Sequence, residues 1–205
     1  GGHSLLAVHL MARIRSSLGQ TLPLANLFKG KTIESLAQLL RTGDLPADLH
    51  PALVEIQPNG SEPPLFCVHA VGGNVFSYVT LARHLGSERP FYGLQAKGVD
   101  GKHQPYVSVE EMATYYIEAI TSVQPNGPYL LAGWSMGGII ALEMARQLKE
   151  HGEEVARLLL IDTAADHGNN SQLEIPDHVL LTSFLNDAGI QTDTPDLTTE
   201  TLRQL

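Results

Sequence analysis

The 205-residue chain has a single cysteine, Cys67. That excludes an internal disulfide and suits a reducing compartment, so the expected location is cytoplasmic. Cations are scarce too: 13 Lys and Arg stand against 22 Asp and Glu, for a net charge of −9. A groove for a nucleic-acid backbone needs clustered Lys and Arg, so no nucleic-acid partner is expected. No apolar run approaches the ~18 residues of a membrane span, and no membrane partner is expected either. Repeats, low-complexity tracts and metal-ligand spacings are lacking, and the nine histidines are scattered. What remains is 43% apolar and 17% charged, a balance that suits a globular chain with a real core. Cys67 itself lies in the strand-like "LFCVHA", where it reads as a small buried hydrophobe.

Two regions separate along the chain. Residues 1–42 read as helices only. Ser4 stands at the head of "SLLAVHLMARI", where a hydroxyl can cap a first turn, and Leu6, Leu10, Ile14 and Leu18 follow at four-residue spacing. A second helix, "KTIESLAQLL", carries Ile33, Leu36 and Leu40 behind Thr32 as N-cap. Residues 43–51, rich in Pro and Asp, read as a linker. From residue 52 to 205 strands and helices alternate. "ALVEIQ", "LFCVHA", "PFYGLQA", "PYLLAGW" and "VARLLLIDT" read as strands, and "NVFSYVTLARHL", "SVEEMATYYIEAI" and "MGGIIALEMARQLKEHG" as helices. Ser108 and Glu111 form a capping box, and Gly152 closes the third helix. Continuous apolar strands between helices predict an α/β fold, with a mostly parallel sheet and helices on both faces.

The chemistry concentrates at Ser135. "LLAGWSMGGII" holds the spacing G-x-S-x-G as Gly133, Ser135 and Gly137. In a chain this rich in glycine the pattern alone arises by chance in roughly one sequence in ten, so its context decides. An apolar strand runs straight into it and a helix leaves it, as a nucleophile elbow requires. A turn that sharp brings the positions two before and two after the serine into collision unless both are glycine. A phosphate-binding turn would need more glycines and a following Lys.

A serine nucleophile needs a base, an orienting carboxylate and an oxyanion hole, in the chain order Ser, acid, His for a strand–elbow–helix. Asp162, at the end of the next strand, is the candidate acid. The oxyanion donors are expected to be the backbone N–H of Met136 and that of Val71 in the loop "HAVGG". His69 precedes the serine and reads as loop packing. His167 and His178 follow Asp162 but sit in a polar, irregular stretch. The base is therefore expected beyond Leu205.

Residues 1–40, "GGHSLLAVHLMARIRSSLGQTLPLANLFKGKTIESLAQLL", resemble the later two-thirds of a peptidyl carrier domain from a nonribosomal peptide synthetase. Residues 64–165, with "FCVHAVGG", "GPYLLAGWSMGGIIALEMARQL" and "LLLIDT", are similar to the type I thioesterase that ends such synthetases, an α/β-hydrolase. The resemblance implies several things. Ser4 would carry covalent 4′-phosphopantetheine, placed there by a phosphopantetheinyl transferase. A peptidyl thioester would pass from the carrier to Ser135, and the chain would leave as acid, lactone or lactam. Upstream synthetase domains would precede the carrier in the same polypeptide, and a helical lid would begin after Asp166. It also implies a piece truncated at both ends: a partial carrier at 1–42 and a thioesterase at 52–205 without its His and final strands, inactive alone. The same unit ending a polyketide or hybrid line, and a non-catalytic carrier-binding fragment, stay open as alternatives. Only the His3–Ser4 pair leans toward peptide.

Overall fold

The computed structural model describes residues 4–20, 32–42, 50–99 and 103–164. Two helices open the chain: α1 (Ser4–Leu18) and α2 (Ile33–Thr42). Thr32 caps α2 as expected, its Oγ1 accepting from the Ser35 N–H at 3.1 Å. Ser35 Oγ in turn accepts from the Thr32 N–H at 3.1 Å, so two orphan donors of the first turn are satisfied reciprocally. The stripe on α1 is narrower than its spacing suggests. Ile14 is buried while Leu10 and Leu18 are exposed. Each four-residue step on a 3.6-residue helix turns about 40° past a full circle, so a long run at that spacing walks off its own face. On α2, Leu36 is buried and Ile33 exposed.

Five strands follow: β1 (Leu53–Gln57), β2 (Leu65–Val68), β3 (Phe91–Leu94), β4 (Tyr129–Trp134) and β5 (Val155–Ile161). They form one sheet in the order β1-β3-β2-β4-β5. Only β1 runs antiparallel, against β3; the pairs β3–β2, β2–β4 and β4–β5 are parallel. The helices between them are α3 (Tyr78–Leu85), α4 (Val109–Thr121) and α5 (Met136–Glu150). This is the mostly parallel α/β sheet that the sequence pattern predicts.

Alternation along the strands builds two cores. Successive side chains of a strand point to opposite faces. On β2, Phe66 and Val68 join Tyr116, Ile120, Ile140 and Met144 beneath α4 and α5. Leu65 and Cys67 face the other way and pack with Val75, Tyr78, Ala82 and Phe91 around α3. Cys67 is fully buried and burial pushes its thiol up, which makes it an inert core residue. The helix signals locate well. Ser108 Oγ accepts from the Glu111 N–H at 3.2 Å. The Ser108 hydroxyl in turn donates to the Glu110 carboxylate at 2.7 Å, an addition to the capping-box reading, which sets the Glu111 carboxylate on the Ser108 backbone N–H. At Gly152 (φ 82) the N–H donates to Lys149 O and the next N–H to Leu148 O, closing α5 in a Schellman turn. The expected helix "NVFSYVTLARHL" forms only from Tyr78. Before it, Asn74 Oδ1 takes the Phe76 N–H at 3.1 Å and holds residues 74–77 in a turn. Among the described residues no helix is long and apolar enough to cross a membrane.

Candidate active site at the strand edge

Ser135 joins β4 to α5 with φ 55 and ψ −124. Such a conformation belongs to the first central position of a type II′ turn, where glycine is the ordinary occupant. Two backbone bonds hold the serine there. Its N–H donates to Ile161 O at 2.9 Å, and its C=O accepts from the Gly138 N–H at 3.0 Å. The surrounding glycines are obligatory for different reasons. A Cβ on Gly133 would lie 2.0 Å from Gly137 O, and one on Gly137 would lie 2.4 Å from both Val68 O and His69 O. A Cβ on Gly138 would meet Thr163 Oγ1 at 1.9 Å, so the first turn of α5 rests against the segment leaving β5.

Serine is a preferred N-cap, yet the Ser135 hydroxyl makes no cap bond to its own helix. Ser108 and Thr32 do cap theirs. The positive φ turns the Ser135 side chain away from the first turn and leaves its hydroxyl for other partners. The orphan N–H groups at the start of α5, Met136 first, then point at the same edge.

Asp162 is the neighbour of Ser135 across the sheet. The β4–β5 register pairs Trp134 with Ile161, so Ser135 and Asp162 are the next residue on each strand. Asp162 also takes a left-handed conformation, φ 46, and is exposed. On the other side of β4, the chain leaves β2 at Val68 and makes a tight turn over 70–73, closed by Gly73 N–H to Ala70 O at 2.9 Å. Val71 is the second residue of that turn, so its N–H has no partner within it. The turn is tied down at both ends: His69 N–H donates to Leu94 O and Ala96 N–H donates to Gly73 O.

His69 is buried and both its ring nitrogens are engaged. Nδ1 lies 2.6 Å from Ala70 O, and Nε2 lies 2.6 Å from Tyr116 Oη. A carbonyl can only accept, so Nδ1 carries the proton. Burial lowers the His69 pKa, which keeps the ring neutral, and Nε2 then accepts from the phenol. Burial also pushes the Tyr116 phenol up, so it stays a donor. His69 is a packing residue of the loop, as the sequence order suggests. Tyr116, 47 residues away, carries no local signal that could have announced the partnership.

Of the residues singled out in the sequence, Ser135, Met136, Val71 and Asp162 thus lie at one edge of the sheet, just past the ends of the neighbouring strands β2, β4 and β5. Ser4 is elsewhere, as the first residue of α1. The first turn of α1 holds no acidic side chain. His167, His178 and the lid stretch after Asp166 lie outside the described residues.

A parallel sheet that delivers a strained serine between a strand and a helix is the α/β-hydrolase arrangement. Comparison with known proteins narrows this. Residues 63–201 match the model of the thioesterase domain family, and residues 1–40 match that of the phosphopantetheine attachment site. The chain belongs to the thioesterase domain family, and the cofactor of its first 40 residues is 4′-phosphopantetheine. It is 44% identical over 167 residues to a dimodular nonribosomal peptide synthase of Bacillus subtilis (strain 168), covering 82% of this chain and 7% of that protein. It is 46% identical over 168 residues to malpinin synthetase of Mortierella alpina, covering 82% of this chain and 2% of that protein. The chain thus spans a small fraction of the curated relatives it matches. Among solved structures, a holo four-domain nonribosomal peptide synthetase bound to AMP and glycine aligns over all of this chain and 15% of that one, with TM-score 0.63 and 33% identity. The NocB thioesterase domain, in covalent complex with a fluorophosphonate nocardicin G analogue, aligns over 66% of this chain and 58% of that one. Its TM-score is 0.53 and its identity 33%.

Proposed function

We propose that this chain is the releasing end of a nonribosomal peptide synthetase, in which Ser135 takes an acyl chain from a carrier thioester. The observation that carries the reading is Ser135 itself: a strained serine whose hydroxyl caps nothing, at the edge shared with Asp162 and the 70–73 turn. The carrier match ahead of the thioesterase match supports it, as do relatives that are peptide synthetases. 4′-Phosphopantetheine, when attached, supplies the thiol that holds the acyl chain as a thioester, and we assign its attachment to Ser4.

The chemistry divides among the chain's own groups. Ser135 Oγ attacks the thioester carbonyl, and the N–H groups of Met136 and Val71 stabilise the oxyanion that forms. The hydroxyl proton passes to a histidine outside the described residues, which Asp162 orients. The C–S bond then breaks, the proton leaves with the sulfur, and an ester on Ser135 remains. Water or a nucleophile of the acyl chain releases it. A phosphopantetheinyl transferase, upstream synthetase domains and a peptidyl thioester substrate are the partners this requires, in a cytoplasmic setting. The domain limits that go with the reading are a carrier over 1–42, a linker over 43–51 and a thioesterase from 52.

The test uses the protein that carries this chain in full, incubated with coenzyme A and a phosphopantetheinyl transferase. Peptide mapping by mass should show one adduct on the Ser4 peptide. Ser135→Ala should load normally and release nothing. A Ser4 peptide that stays unmodified in the loaded wild type overturns the carrier assignment, and release by Ser135→Ala overturns the nucleophile.

A further inference from the structure

A second buried hydroxyl lies between the two strands that carry the proposed oxyanion donors. The last pair of the β2–β4 ladder is Val68 with Gly133, which sets the Trp134 N–H opposite Val68 O. Tyr78 Oη sits on this final rung. It accepts from the Trp134 N–H at 3.0 Å and donates to Val68 O at 2.5 Å. The direction is fixed, because a backbone N–H can only donate and a carbonyl can only accept. The ring is 2% exposed and packs against Phe91, with centroids 6.2 Å apart, so the phenol cannot swing away. Its N–H is bonded to Val75 O, which ties the start of α3 to the loop that leaves β2.

Val71 lies three residues past Val68, and Met136 two residues past Trp134. We infer that Tyr78 is a positioning residue, whose hydroxyl on the last β2–β4 rung sets the spacing between the two backbone donors of the oxyanion hole. This rests on the assignment of Ser135, Met136 and Val71 made above. Without the hydroxyl, Trp134 N–H and Val68 O either close on each other or go unpaired. Both outcomes shift the two strand ends where donors must lie within a few tenths of an ångström of a developing charge. Such a shift acts on the transition state and leaves ground-state binding alone, so kcat changes and KM does not.

The experiment compares Tyr78→Phe with wild type in the full-length protein, by rate of fluorophosphonate labelling and by thioester hydrolysis. Labelling and kcat should fall about tenfold or more, with KM within about twofold, short of the hundredfold or more that losing a whole donor costs. Ile120→Val, a core change on α4, controls for general loss of stability and should label at the wild-type rate. Should Tyr78→Phe fold poorly, 4-fluorophenylalanine at position 78 fills the same volume without donating, and the same loss is expected. Labelling of either variant at the wild-type rate overturns the inference, as does an equal loss in Ile120→Val. Ser135→Ala is run beside them: if it labels like wild type, the nucleophile assignment fails instead, and the two failures are told apart.

Discussion

Replacing Ser135 by glycine should stabilise the protein relative to replacing it by alanine, the reverse of the usual order. At φ 55 and ψ −124 any side chain with a Cβ is strained, and Ala keeps that Cβ. A residue held in such a sparsely populated region costs about 1–3 kcal/mol. Glycine removes the strain but adds about 0.4–1 kcal/mol of unfolded-chain entropy. The difference leaves glycine ahead by about 1 kcal/mol. Neither change touches the two backbone bonds that hold the position, Ser135 N–H to Ile161 O and Gly138 N–H to Ser135 O. Those bonds and the fit at Gly133 and Gly137 force the conformation whichever side chain is present. Urea unfolding of both variants measures the gap, and in a protein of this size about 1 kcal/mol moves the melting midpoint by about 2–4 °C. Both variants are inactive, so catalysis does not confuse the comparison. Glycine equal to alanine, or below it, would show that the elbow stores no strain and that the conformation is the serine's own preference.

Other outcomes follow from the same geometry. Asp162→Asn should remain folded and lose activity by orders of magnitude in a release assay, because the base loses its orientation; a rate within a few-fold of wild type places the acid elsewhere. Gly133→Ala should yield no soluble folded protein, since its Cβ meets rigid backbone at 2.0 Å. Gly138→Ala meets a side chain instead and should be partly restored by Thr163→Ala, read as recovery of soluble yield and melting temperature. His69 has its pKa lowered from an ordinary 6.5 by burial, so the unfolded chain binds more protons than the folded one below that pH. Stability should therefore fall as pH drops from 6.5 through the folded value, and His69→Gln should flatten the slope in pH-dependent unfolding. His50, shifted the same way by burial, should keep a residual slope in that variant.

The elements were legible because their signals are local. Thr32 and Gly152 stand within a few residues of the groups they bond, and the glycines around Ser135 are dictated by one sharp turn. The same locality explains the small errors. Spacing places the Glu111 N–H on the Ser108 hydroxyl but does not say that the same hydroxyl donates to the Glu110 carboxylate. Four-residue spacing on α1 marks a helix without saying how much of the stripe finds a partner.

The sequence alone determined an α/β alternation, a serine at its one strand–elbow–helix junction, and an acidic residue ending the next strand. Tertiary structure alone decided that β3 lies between β1 and β2, reached by pairing residues some forty apart. It alone also brought Tyr116 to His69 and Tyr78 to the gap between Val68 and Trp134. Those bonds join groups 10 to 56 residues apart, and they form only once the helices have docked on the sheet. A turn is chosen by the few residues that make it, whereas a buried hydroxyl is placed by the packing of everything around it.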